Sequence, residues 1–201
     1  MTLRLLELWT PYAGSSTQAR DEWTELVERW SEPHRAYHTL EHLLLVLELL
    51  AAQGAQAPTM LAAWFHDAVY DPTSTHNEAD SATLARASLA RLDRADLADR
   101  VATLIMLTAE HTAAPDSEAA MLLDADLAIL GQPPAIYLRY VEGVRAEYAH
   151  VGDENFRTGR SAILRGMLER ARLYQHPAFA HLEQPARANI AAELQVYTAP
   201  G

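Results

Sequence analysis

Leu61-Ala-Ala-Trp-Phe-His66-Asp67-Ala-Val-Tyr70-Asp71-Pro72 opens as an apolar helix and ends with a histidine beside an aspartate. Neighbouring helical residues point about 100° apart, so this pair can converge on one atom only near a helix end or over a short reach. Pro72 supplies an end, because the residue before a proline is pushed out of the helical region. A carboxylate and an imidazole at the end of so apolar a segment are costly to bury unless something binds both. A divalent metal ion would do so. The alternative is a structural pair, with Asp67 capping locally and His66 half-buried in the core. Partners elsewhere in the chain decide between the two.

The 201 residues are enough for one large domain with a proper core, and an apolar fraction of 49% excludes a disordered chain. No apolar run reaches the ~18 residues of a membrane helix. The N-terminal stretch carries Glu7 inside its apolar part and does not read as a signal peptide, so a cytoplasmic location is expected. A net charge of -11 argues against a general nucleic-acid surface, though not against a nucleotide in a local pocket. There is no cysteine, so any metal must be held by nitrogen and oxygen. All 16 basic residues are arginine, which excludes Schiff-base and P-loop lysine chemistry and leaves phosphate recognition to guanidinium groups.

Apolar residues recur at helical spacing throughout, and no alternating stretch is long enough for a strand. Ser15-Ser-Thr-Gln18 reads as a capping box. A central helix is expected to take in His38 and run through Leu50 to Gly54. Pro58 opens the helix bearing His66-Asp67. Asn77 and Asp96 are placed to cap the next two, and a further helix spans about Glu118 to Leu130. Others begin at Pro134, Phe156 and Glu183. The expectation is a single all-α domain of eight or nine helices, with a core over about 34–131 and C-terminal helices over 134–197 packing on it.

Two more polar interruptions stand out. Arg35-Ala-Tyr37-His38-Thr-Leu-Glu41-His42 puts His38 and His42 four apart, hence on one face roughly 6 Å from each other. Leu122-Leu-Asp124-Ala-Asp126-Leu127 sets two carboxylates in a core-like helix. One metal would satisfy all three anomalies.

The order His42 … His66-Asp67 … Asp126, with 24 positions from His42 to His66 and 59 from Asp67 to Asp126, resembles the HD superfamily of metal-dependent phosphohydrolases. The closer similarity is to a bacterial branch of predicted HD phosphohydrolases. It runs through Arg35-x-Tyr-His-x-x-x-His42, His66-Asp67, Asn77-Glu78-x-x-Ser81-Ala82, Asp124-x-Asp126-Leu-x-Ile-Leu-Gly131, Arg145-x-Glu-Tyr148, Gly159-Arg160 and Glu183-x-x-Ala-Arg187-x-Asn189. The resemblance implies a compact HD-domain-like bundle and the metal ligands His42, His66, Asp67 and Asp126, with Asp124 the competitor for the last place. Tyr37-His38-x-x-x-His42 is also similar to cyclic-nucleotide phosphodiesterases, in which the first histidine donates a proton. The acidic pair of ppGpp hydrolases is replaced by Val69 and Tyr70, and the His-rich extension of cyclic-di-GMP enzymes is absent.

Two imidazoles and two carboxylates leave sites open for water and a phosphate oxygen on a six-coordinate ion. The ion lowers the pKa of its water and polarises phosphorus. Mn, Fe, Co, Ni, Zn and Mg all suit mixed N/O donors, as one ion with room for a second. His38 would protonate the leaving oxygen, Asp67 would orient the attacking water, and Glu78 would assist. Glu78 and His111 either complete a second metal site or contact substrate. Otherwise they are a helix-dipole carboxylate and a helix-end histidine. Arg35 and Arg145 are assigned to the phosphate, and Arg160 and Arg187 to networks between helices. The Tyr137/Tyr140/Tyr148 stripe reads as core or homodimer contact. The expected activity is hydrolysis of a small phosphorylated metabolite, a nucleotide by preference. A cyclic-nucleotide phosphodiesterase and a non-catalytic nucleotide sensor are the alternatives.

Overall fold

A computed structural model of the chain describes residues 1–111 and 113–198. Among them ten α-helices follow one another with no strand: α1 Thr2–Ala13, α2 Thr17–Arg29, α3 Leu40–Ala52, α4 Ala57–Phe65, α5 Asn77–Arg91, α6 Ala98–Leu107, α7 Ser117–Asp126, α8 Pro134–Glu147, α9 Asp153–Glu169 and α10 Glu183–Thr198. Three 3-10 turns cover Ala95–Leu97, Leu127–Gly131 and Pro177–Leu182. The all-α expectation holds. The helix beyond the expected count is α1, which keeps Pro11 inside its last turn and ends on Gly14 at φ 93°.

Several expected boundaries move. Ser16, not Ser15, caps α2 by accepting from the amide of Ala19. His38 lies ahead of α3, whose cap is Thr39, so His38 and His42 do not share a helical face. The helix bearing the His-Asp pair stops at Phe65 with His66 as its cap, well before Pro72. Asn77 is the first residue of α5 rather than its cap. Its side-chain amide instead closes the preceding loop, accepting from the amide of Asp71 and donating to the Asp71 carbonyl at 3.0 and 2.9 Å. Asp96 falls within a 3-10 turn. The helix expected through Leu130 tightens to 3-10 geometry after Asp126.

The deepest element is the short α4, not α3. Every residue from Thr59 to Phe65 is buried, and all but Thr59 are apolar, as a helix enclosed on every side requires. α3, α4 and α7 touch one another pairwise, and α4 also packs on α6, which pairs with α5. Trp30, from the end of α2, donates its indole N–H to the Trp64 carbonyl at 3.0 Å. Its ring lies 6.2 Å from that of His42 and 5.4 Å from that of His66. Trp9 of α1 donates to the Ala19 carbonyl at 2.8 Å and meets the Trp64 ring edge-on at 5.2 Å. The first two helices thus brace the underside of the His66 region.

α10 packs on α9 and on the 127–131 turn. Asn189 donates to the carbonyls of Leu130 and Gln132, both at 2.8 Å. Arg187 reaches the carbonyls of Leu168 and Arg170 at 2.9 and 2.6 Å, and so ties α10 to the end of α9. Gly131 marks the closest approach, where an added Cβ would sit 2.7 Å from Leu182 Cβ and 2.9 Å from its carbonyl oxygen.

The two closest atoms met are the backbone carbonyl and Cβ of the packed Leu182, neither of them the far end of a flexible side chain. Gly131→Ala should therefore cost about 1–3 kcal/mol, read as a lower thermal midpoint. Gly166→Ala, on α9 where an added Cβ meets nothing within 4 Å, should raise stability by up to about 1 kcal/mol. Equal midpoints for the two variants would show that the Gly131 contact relaxes without cost.

Candidate metal centre

Three helix termini deliver the donors. His42 stands in the first turn of α3, His66 and Asp67 follow the end of α4, and Asp126 closes α7. His42 Nε2 and His66 Nε2 are 3.4 Å apart. Asp126 Oδ1 lies 3.0 Å from the first and 3.4 Å from the second, and Asp67 Oδ2 lies 3.2 Å from His66 Nε2. The ligand atoms of His42, His66 and Asp67 also all fall within 4.8 Å of one another.

These separations suit a cation. Donors about 2.1 Å from one ion stand roughly 3.0 Å apart at octahedral angles and about 3.4 Å apart at tetrahedral ones. The outer hydrogen bonds agree. His66 Nδ1 donates to the Ala63 carbonyl at 2.9 Å, which leaves the lone pair on Nε2 when the ring is neutral. His42 Nδ1 faces the Tyr37 hydroxyl at 3.0 Å, and with Nδ1 donating to that oxygen Nε2 is free for the centre. Both imidazoles are almost wholly buried, at 4% and 1% exposure. Lone pairs and carboxylate oxygens packed this closely repel unless positive charge sits among them. A divalent ion held by these four side chains fits the site.

Protons bear part of that charge in the metal-free protein. Burial alone would depress the pKa of His66, but the carboxylates of Asp67 and Asp126 hold it well above the ordinary imidazole value. Against the cost of burial, His66 in turn holds both carboxyls below their usual range. His42 is lowered, chiefly by burial. Metal uptake near pH 7 should therefore displace roughly one proton. Calorimetry in buffers of different ionisation enthalpy reads that number directly, and no dependence on buffer would contradict the proposed ligation by His66.

Of the two carboxylates on α7, the geometry puts Asp126 at the imidazoles. Two residues apart on a helix, they face nearly opposite ways. Asp124 is fully buried, and one of its oxygens accepts from the amides of Gln175 and His176 at 2.8 and 2.6 Å. Burial pushes its carboxyl up to about 6 despite those bonds. Asp124 fastens α7 to the chain ahead of α10.

His38 faces the centre from the turn before α3, its Nε2 3.9 Å from Asp67 Oδ2. Its Nδ1 meets Glu147 Oε2 at 2.7 Å. An ionised carboxylate only accepts, so the proton belongs on Nδ1 and the neutral ring presents an unprotonated Nε2 to the site. Glu147 falls within the Arg145-x-Glu-Tyr148 similarity, but the sequence assigns it no role. From the end of α8 it accepts the amides of Ala36, Tyr37 and His38 at 2.8, 2.8 and 2.9 Å, and the Tyr70 hydroxyl at 2.9 Å. Gly143, one turn earlier, makes room for this approach: an added Cβ would lie 3.0 Å from Tyr37 Cβ.

The remaining expected site residues divide. His111 donates through Nε2 to Asp126 Oδ2 at 2.8 Å, and lines a cavity of about 430 Å³ beside the centre. Glu78 is half-buried in the first turn of α5 and is not part of the converging donor group. Arg35 lies behind the site instead of facing a phosphate. Its N–H groups go to Glu32 and to the carbonyls of His38, Asp67 and Ala68, so every guanidinium donor is used. The group is also sandwiched between the rings of Trp30 and Tyr70, 5.3 Å from each centroid. Arg145 sits away from the cavity, bonded to the carbonyls of Tyr148 and Val151 and to Asp153. Arg160 is the arginine on the cavity wall, and it does join the helix-bridging network expected of it, paired with Glu193 at 2.8 and 3.1 Å. Tyr140 and Tyr148, expected as core or dimer contacts, also line the cavity, whereas Tyr137 is buried with its hydroxyl on Glu193.

Protein-family models, curated proteins and solved structures were all compared with the chain, and none matches. The reading of the site therefore rests on its own chemistry. Among the described residues no helix is long and apolar enough to cross a membrane.

Burial raises the Glu147 carboxyl, but its bonds to His38 and to the backbone amides outweigh that and bring it from 4.5 down to about 2. A carboxyl more acidic when folded stabilises above its unfolded pKa and loses that contribution as pH falls through the folded one. The stability gap between wild type and Glu147→Gln should thus be full above pH 4.5 and close toward pH 2. Thermal melts across that range test this, and a constant gap would mean that Glu147 acts by packing alone.

Proposed function

We propose that this protein is a metal-dependent phosphohydrolase acting on a small phosphorylated metabolite, preferentially a nucleotide, and that it belongs with the HD superfamily its sequence resembles. One observation carries the reading. Two imidazole nitrogens and two carboxylate oxygens brought by three helix ends converge, each 3.0–3.4 Å from at least one other, on the rim of a cavity large enough for a ligand, with a further histidine turned toward them.

His42, His66, Asp67 and Asp126 would hold the ion. When bound, it would supply Lewis acidity and a water acidic enough to give hydroxide near neutrality. The chain's own groups set up the rest. Asp67 orients the attacking water from beside His66. His38, its Nδ1 proton fixed on Glu147, gives a proton from Nε2 to the ester oxygen as that oxygen leaves phosphorus. Burial opposes charge on the His38 ring, but Asp67 and Glu147 outweigh it and raise its pKa, which favours the form carrying that second proton. Arg35 holds the backbone of both reacting side chains by clasping the carbonyls of His38 and Asp67 at 3.1 and 2.9 Å.

Purified protein loaded in turn with Mn, Fe, Co, Ni, Zn and Mg, then assayed on nucleoside monophosphates, triphosphates and cyclic nucleotides, tests the proposal. Turnover of at least one class is expected. His38→Ala should lower kcat by about 10²–10⁴ with metal affinity retained, and Asp126→Ala should lose metal and activity together. Turnover of cyclic nucleotides alone would make it a phosphodiesterase. Tight nucleotide binding without turnover under any metal would make it a sensor.

A further inference from the structure

The cavity beside Asp126 is walled by α8, α9 and the 127–131 turn and is largely apolar, with Val144, Tyr148, Phe156 and Ile163 among its walls. Its volume of about 430 Å³ lies within the range of small-molecule sites. Three basic side chains reach it among the described residues, and each already faces a carboxylate. Arg160 is held on Glu193 at 2.8 and 3.1 Å and lies over the Tyr140 ring at 5.1 Å. His38 meets Glu147 at 2.7 Å, and His111 meets Asp126 at 2.8 Å.

The charge balance restricts what can enter. A dication held by two carboxylates carries no surplus charge, though its open sites still accept one phosphate group. A second or third phosphate would have to lie along a wall whose cations are spent, in a protein of net charge -11. Desolvating such anions without a partner is unfavourable. An uncharged body gains instead from the apolar surface it covers.

Resting on the phosphohydrolase reading and narrowing it, we infer that this cavity takes the uncharged, mainly apolar body of a phosphate monoester, about one or two rings in size, and disfavours di- and triphosphates. Gly159 lies on the wall, and a Cβ added there meets nothing within 4 Å. A leucine at that position would occupy the cavity without pressing on α9.

Calorimetric titration of the metal-saturated full chain tests this with four probes: 1-naphthylmethylphosphonate, inorganic phosphate, pyrophosphate and tripolyphosphate. The phosphonate should bind about tenfold or more tighter than phosphate, and pyrophosphate no tighter than phosphate. Gly159→Leu should weaken the phosphonate by about the same factor while leaving affinity for metal and for inorganic phosphate as in the wild type. Pyrophosphate or tripolyphosphate binding tighter than the phosphonate would overturn the inference. So would a folded Gly159→Leu variant with undiminished phosphonate affinity. The wild-type ranking decides the matter if that variant fails to fold. The ranking is read without turnover, so its failure is distinct from a failure of the hydrolase reading.

Discussion

Mutual repulsion among buried donors is the constraint on which the rest of this structure depends. Two almost wholly buried imidazole nitrogens and two carboxylate oxygens of largely shielded side chains meet at the ends of α3, α4 and α7. Such a group is unfavourable by itself. It persists because the elements carrying it have no slack. α4 is buried over its last seven residues, α3 and α7 press on it and on each other, and Trp30 covers both rings from behind. The apolar packing sets the geometry, and the polar cluster sits where helix ends leave backbone groups to orient it, as the Ala63 carbonyl does for His66.

A second layer then holds the turns rather than the helices. Arg35 and Glu147 are opposite charges doing related work on one short segment. The guanidinium gathers the carbonyls of His38, Asp67 and Ala68, and the carboxylate gathers the amides of Ala36, Tyr37 and His38. Both charges are spent on backbone, in a place where irregular chain would otherwise leave buried polar groups without partners. The turn before α3 owes its shape to these two side chains.

Much of the cluster was legible in the sequence because His42, His66, Asp67 and Asp126 interrupt apolar helical runs, and buried polar residues need a reason. The helical class was legible for the same cause, through the spacing of the apolar positions. What spacing could not convey is direction. Asp124 and Asp126 look equivalent in sequence, and only the packing of α7 shows that one meets the imidazoles while the other meets the amides of Gln175 and His176. Arg35 and Arg145 were assigned to a phosphate on charge alone, but their partners are mostly carbonyl oxygens, which a sequence does not display. Glu147 did leave a trace. A carboxylate in the last turn of a helix opposes the helix dipole, and that anomaly points to a compensating partner. The apolar run after His38 suggests a helix that includes it, but the β/extended geometry of Thr39 delays the helix start to Leu40.

The origin of Glu147 bears on how the molecule divides. Three of the ion's four proposed holders come from the first seventy residues, yet the group that orients His38 arrives from α8, and Arg160 and Phe156 wall the cavity from α9. A fragment ending at residue 131 would keep the donors and lose both the tether on His38 and one side of the cavity. The later helices are thus as much a part of the candidate site as the earlier ones.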